Sequence, residues 1–310
     1  MAKVLSMSNY GLKRKAIKHI IEQKLDSWLS TVEPELAQKM RGHIIVTGGS
    51  IASMLLGEPI KDFDVYLDSK ELTAEVAKYY VKLFNEAKER NPVPFVRETD
   101  TRVSIFVKSA GVASDSDSEE APYQYFENEP ADGIGAQEYI NQVTEAKLDE
   151  NPKFKPVFLS ENAITLSNKV QIAIRFYGNP AKIHESYDYV HATNYYYDGE
   201  LVLKAEALES LLSKSLIYRG SLYPICSLFR MRKFMNRGWR ISAGEITKMA
   251  FQISELDLKD AGVLREQLIG VDAAYFHELI AMLTDQIKNG KEVDASYIVQ
   301  LIDELSENPF

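Results

Sequence analysis

The sequence predicts an α+β fold in which a strand-bearing part gives way to an all-α C-terminal part. Three observations carry that reading. Short β-branched apolar runs alternate with helical stretches as far as Leu203. From Lys204 onward the spacing of apolar residues is helical throughout. Between these patterns, residues 109–151 are acidic and, until Ile140, poor in aliphatic side chains. The boundaries that follow are an N-terminal helical segment (1–40), a strand-bearing domain (41–203) carrying the acidic insertion, and a helical domain (204–310).

In chain order, residues 8–40 read as helical. Leu12, Ile17, Ile20, Ile21, Leu25, Trp28 and Leu29 form an apolar stripe, and Lys13, Arg14, Lys15, Lys18 and Lys24 lie mostly off it. That basic run suits either a solvated face or a nucleic-acid contact. His43-Ile44-Ile45-Val46 has the length and branching of a buried strand. Gly48-Gly49-Ser50 breaks it, and Ile51, Met54, Leu55 and Leu56 follow at helical spacing until Gly57 and Pro59 stop the helix. Asp62–Leu67 reads as the next strand, Glu71–Arg90 as a helix closed by Pro92 and Pro94, and Val103–Val107 as a further strand.

Order resumes with short strands over 157–159, 163–166 and 170–176. A period-two pattern then places Asp188, Val190 and Ala192 opposite Tyr189 and His191. Helices are expected over 205–216, 222–236, 243–256, 260–269, 272–289 and 294–305. Asp272 and Asp294 are suited to be N-caps, and Gly270 and Gly290 to be stops.

The chemistry concentrates in the stretch from His43 to Asp68. Side chains alternate across a strand, so Asp62 and Asp64 share one face while Phe63 and Val65 take the other. Two carboxylates on one face suit a core badly, because neither is stable in the interior without a counter-charge. They suit a divalent cation well. Mg²⁺ takes hard oxygen ligands and is commonly held by one or two carboxylates together with substrate phosphates. Gly48, Gly49 and Ser50 at a helix start offer backbone N–H groups and a hydroxyl where phosphate oxygens would sit.

The Gly-Gly-Ser turn, the apolar helix, Leu56-Gly57-Glu58-Pro59 and Lys61-Asp62-Phe63-Asp64-Val65-Tyr66-Leu67, in that order, resemble the signature of the polymerase-β-like nucleotidyltransferases. The variant is similar to the head and neck of class II CCA-adding enzymes and bacterial poly(A) polymerases. Asp188-Tyr189 and Asp198-Gly199-Glu200-Leu201 also fit that frame, as does Ser227–Ser242 for the neck helix.

The resemblance implies a head with a mixed sheet and flanking helices followed by a helical neck. It further implies Mg²⁺-dependent transfer of a nucleotide to an acceptor hydroxyl, an RNA 3′ end foremost and a protein or small molecule as the alternative. Asp62 and Asp64 would hold two Mg²⁺ ions, and Gly48, Gly49 and Ser50 would hold the triphosphate. Arg230 and Lys233 would face phosphates or the acceptor, although cations near a helix C-terminus also suit the helix dipole. Asp188 is the candidate third carboxylate, with Asp100 and Glu185 in reserve; as a strand-end residue it could equally cap a turn.

The departures from the family pattern are as informative. Ser186 and Tyr187 stand where the family has paired arginines, Gln171 where it has a carboxylate, and Ala52-Ser53 where it has Arg-Asp. Tyr223, Pro224 and Ser227 replace the side chains that template a base, and they lack its paired donors and acceptors. These losses favour a second possibility, a non-catalytic relative that binds a nucleotide or an RNA end.

The net charge of −9 belongs largely to the insertion, which carries eleven acidic residues against Lys147 and leaves about +1 for the remainder. The first part of the insertion, residues 109–122, reads as loosely ordered. The lone Cys226 excludes an internal disulfide framework, and no apolar run approaches the ~20 residues that span a bilayer. The N-terminus has no signal-peptide pattern. A cytoplasmic protein without membrane partners is expected, and oligomeric state is not legible.

Overall fold

The computed structural model describes residues 11–87, 93–106, 154–258 and 260–267. The acidic insertion, the helices expected over 272–289 and 294–305, and the ends of those expected over 71–90 and 260–269 therefore lie outside the described residues. The chain divides into two compact units, whose described parts run to Ser215 and from Leu216.

The first unit is built on a seven-stranded mixed sheet. Its strands are β1 (Ile44–Thr47), β2 (Phe63–Leu67), β5 (Pro156–Leu159), β6 (Ala163–Leu166), β7 (Val170–Ala173), β8 (Tyr195–Tyr197) and β9 (Glu200–Val202), in the order β5-β6-β7-β2-β1-β8-β9. Only β2 and β7 run parallel; the other neighbours are antiparallel. A separate ladder pairs β3 (Phe95–Glu98) with β4 (Val103–Phe106).

Helices α1 (Arg14–Leu29), α2 (Pro34–Met40), α3 (Gly49–Leu56), α4 (Lys70–Ala87), α5 (Pro180–His184) and α6 (Ala205–Ser213) complete the unit. Most of the predicted apolar stripe is buried on α1; Leu12 lies before the helix and is exposed, and Ile20 is half-buried. Ile17, Ile21, Leu25, Trp28 and Leu29 are buried, and Trp28 Nε1 donates to the hydroxyl of Tyr80 on α4 at 2.6 Å. Phe63, Val65 and Leu67 of β2 enter the same core.

Arg14, Lys18 and Lys24 of α1 are tied to their own unit. Arg14 donates to Leu201 O at 3.0 Å, Lys18 faces Glu22 at 3.7 Å, and Lys24 donates to Asn168 O while lying over the rings of Phe63 and Phe154. These contacts favour the structural reading of the run over the nucleic-acid one.

Several boundaries differ from the expectation. The helix over 8–40 is two helices, because Pro34 is admitted only at the first turn of a new one. The period-two pattern after Asp188 is a 3₁₀ turn, Val190–Ala192, stabilised by Thr193 back-bonding to Val190 O. The expected helix over 205–216 ends at Ser213, where Lys214 turns left-handed (φ 47°), and β10 (Ser215–Leu216) follows.

The described part of the second unit holds α7 (Pro224–Asn236), the short strand β11 (Arg240–Ile241), α8 (Ala243–Ser254) and α9 (Ala261–Gln267). The all-α expectation is corrected at β11. Ser242 caps α8 by accepting from Glu245 N, and Gln252 ties α8 to the chain before α7 through Ser221 O at 2.7 Å. Buried Cys226 donates its thiol to Gln267 O at 2.9 Å.

Candidate active site

β1 and β2 present the site. Their register pairs Thr47 with Asp64, so the end of β1 and the carboxylate strand meet directly below the turn that opens α3. β2 alternates as its sequence requires. Phe63, Val65 and Leu67 are buried, whereas Asp64 and Tyr66 are half-buried on the opposite face. Asp62, one residue before the strand, is half-buried too and belongs to the same period-two series. The face thus carries Asp62, Asp64, Tyr66 and then Asp68, whose Oδ2 accepts from Tyr197 at 2.8 Å and lies 2.7 Å from His43 Nδ1.

The turn above is shaped by Gly48. Its φ of 85° and ψ of −143° are open to glycine and costly for other residues. A Cβ there would also meet Asp64 Oδ2 at 2.8 Å and the Tyr187 hydroxyl at 3.3 Å. The backbone at Gly48 is therefore in contact with the carboxylate, and its N–H is fixed by Ala192 O at 3.1 Å. A Cβ at Gly49 would meet nothing within 4 Å, so the first turn of α3 is open on that side. Ser50 is 2% exposed, and its Oγ has no hydrogen-bond partner among the described residues. To face a ligand it would have to rotate about χ1. Gly57 ends α3 in the left-handed conformation, as the sequence predicts.

A polar relay absent from the sequence reading lies behind this turn. Thr47 is fully buried and donates to Asn194 O at 2.9 Å; His184 Nε2 lies 2.8 Å from the same hydroxyl. Since Thr47 has one proton to give, the network assigns the imidazole proton to Nε2, and Nδ1 accepts from Lys204 Nζ at 3.2 Å. Tyr187, packed edge-on against His184, donates to the Tyr66 hydroxyl at 3.2 Å. Burial raises the Tyr187 phenol well above its ordinary range, and the neighbouring Tyr66 and the charge of Asp64 add to the rise; contact with Thr47 opposes it. The only sequence signal for this relay is the tyrosine at an expected arginine position; neither His184 nor Lys204 falls in a motif.

The remaining candidates are distributed. Asp188 is buried in the turn after α5, next to Tyr187. Among the described residues, no three His, Cys, Asp or Glu side chains are grouped to hold a metal ion. Gln171 is the parallel-strand partner of Asp64. An amide thus occupies the sheet position beside the carboxylate. Asp100 is exposed in the β3–β4 turn and Glu185 is exposed after α5. Arg230 and Lys233 are half-buried on α7 in the second unit. A groove of about 470 Å³ between α4 and β3, lined by Lys78, Lys82, Asn85 and Phe95, includes none of the candidate residues.

Fold and site together define a mixed-sheet α+β protein that presents a carboxylate pair under a glycine turn. A profile of the Gad2 family, described as Gabija anti-defense 2 family proteins, matches residues 19–214. That is more than half of the chain, and the chain belongs to this family. No curated protein sequence matches it.

Among solved structures, it is similar to the Thermotoga maritima CCA-adding enzyme complexed with tRNA, at 13% identity and TM-score 0.38, over 91% of this chain and 67% of that one. It is also similar to a tRNA-processing enzyme in an apo form, at 11% identity and TM-score 0.39, over 94% of this chain and 75% of that one. A third is a tRNA nucleotidyltransferase complexed with a primer tRNA and an incoming ATP analog, at 12% identity and TM-score 0.34, over 82% of this chain and 59% of that one. At such TM-scores the functional reading rests on this chain's own residues. Among the described residues, no helix is long and apolar enough to cross a membrane.

Proposed function

We propose that this Gad2-family protein counters Gabija defence as a divalent-metal-dependent nucleotidyltransferase acting in the cytoplasm. The observation that carries the reading is the meeting of Asp64 with Gly48: the carboxylate on the half-buried face of β2 abuts the glycine turn at the start of α3, and Asp62 precedes it in the same period-two series. The donor set fits Mg²⁺, since both side chains offer hard oxygens and the open side at Gly49 leaves room for phosphate.

In this reading Asp62 and Asp64 hold the metal, two ions in the full site. The N–H groups at the α3 N-terminus receive the β- and γ-phosphates, and the Ser50 hydroxyl joins them after rotation. Bound Mg²⁺ would lower the pKa of the attacking hydroxyl and neutralise the leaving pyrophosphate. The protein's share is alignment and charge placement, as in other phosphoryl transfers. The acceptor oxygen bonds to the α-phosphorus as the bond to pyrophosphate breaks. Asp188, buried and next to Tyr187 in the chain, is assigned no step.

The resemblance in sequence supports an RNA 3′ end as acceptor, and the family's anti-defence description adds components of the defence machinery. Incubation of the full chain with each α-³²P-labelled nucleoside triphosphate, Mg²⁺ and lysate of Gabija-bearing cells separates them. Label in RNA, absent with Asp62→Ala/Asp64→Ala, supports the RNA acceptor. Label in protein keeps the chemistry and replaces the acceptor. A second reading, a nucleotide-binding protein without turnover, is favoured by Gln171 beside Asp64; triphosphate binding with no transfer to any acceptor would support it.

A further inference from the structure

Tyr187 stands where the sequence resemblance expects an arginine, yet its tip reaches the carboxylate strand. Its hydroxyl donates to Tyr66, two residues beyond Asp64 on the same face of β2. The same oxygen and Asp64 Oδ2 both lie against Gly48, at 3.3 and 2.8 Å from the point where a Cβ would stand. The ring is backed by His184, and His184 is itself held between the buried Thr47 hydroxyl and Lys204 Nζ. Thr47 pairs with Asp64 across β1 and β2, so the relay and the carboxylate share one strand crossing.

The chemistry of this substitution is specific. An arginine against Asp64 would pair with the carboxylate and compete with a cation for its oxygens. A neutral phenol that shares the Gly48 turn with the carboxylate can limit its orientation without adding positive charge. Groups that orient a metal-binding side chain from behind are worth a large share of metal affinity.

We propose that Tyr187 is a positioning residue for the carboxylate pair, directing Asp64 toward a divalent cation from a support formed by Thr47, His184 and Lys204. This rests on the metal-dependent reading above. Asp64 is the ligand, and Tyr187 acts through it.

Binding of Mn²⁺ to the full chain without nucleotide, followed by the electron paramagnetic resonance of free Mn²⁺, tests the role apart from turnover. Wild type, Tyr187→Phe, Tyr66→Phe and Asp64→Asn are compared after thermal unfolding has shown each to be folded. Tyr187→Phe is expected to bind Mn²⁺ about tenfold more weakly with an unchanged unfolding midpoint. Tyr66→Phe is expected to weaken binding in the same direction, and it carries the test should Tyr187→Phe not fold. Wild-type affinity in the variant tested, with Asp64→Asn reduced, overturns the role of Tyr187 and leaves the metal site standing. Wild-type binding no better than Asp64→Asn overturns both.

Discussion

At the scale of single residues, Gly48 carries the tightest constraint. Alanine there must adopt a φ near 85° and place a methyl group 2.8 Å from Asp64 Oδ2. Gly48→Ala is expected to destabilise the fold by about 1–3 kcal/mol, measurable by urea unfolding. It should also displace Asp64 and abolish metal binding, which Mn²⁺ titration of the folded fraction would detect.

The core tyrosines set the alkaline limit. Burial, followed by the nearby charge of Glu22, raises Tyr196 to about 12, and burial raises Tyr80 further. The unfolded chain gives up these protons near pH ~10, as free phenols do, whereas the folded chain retains them. Their contribution is therefore complete below pH ~10 and is lost as pH climbs through ~12. Denaturant midpoints should fall across that window, and tyrosinate absorbance of the native protein should lag behind that of the unfolded chain. An unchanged midpoint to pH ~12 would contradict this.

At the scale of elements, α1 is fastened by its apolar stripe, by Arg14 to β9 and by Trp28 to α4. Trp28 is completely buried and donates to Tyr80, so Trp28→Ala removes a ring's packing and leaves a buried phenol without its donor. A loss of about 3–5 kcal/mol is expected in equilibrium unfolding. β7 permits a gain instead. Gln171 is the partner of Asp64 on the parallel neighbour, on its half-exposed side. Gln171→Glu adds a third carboxylate, which should lower the thermal midpoint without metal and tighten Mn²⁺ binding about tenfold. A lower midpoint with no gain in Mn²⁺ affinity would place the cation elsewhere.

The legible parts of this fold are those whose local pattern and tertiary role agree. β1, the Gly48 turn, α3 and β2 each carry their own punctuation, and the Asp62/Asp64 face follows from strand alternation alone. β3 was not expected because its residues, Phe-Val-Arg-Glu, are mostly exposed and it pairs only with β4. Residues 188–192 alternate for too short a span to tell a strand from a 3₁₀ turn. The Thr47–His184–Lys204 relay joins residues far apart in sequence, and its parts have no spacing to read.

At the scale of the whole molecule, the insertion holds the negative charge while the strand-bearing unit holds the candidate chemistry, so the acidic net charge says little about the site face. The family described as Gabija anti-defence matches across that unit, from residue 19 to residue 214. The most direct measurement of nucleotidyl transfer is pyrophosphate release from each nucleoside triphosphate, with Mg²⁺ and lysate acceptors, by wild type and by folded Asp62→Asn and Asp64→Asn variants. Release that requires Mg²⁺ and falls by about 100-fold or more in either variant is the expected result. Equal release by the variants, or none from wild type with any triphosphate, would contradict it.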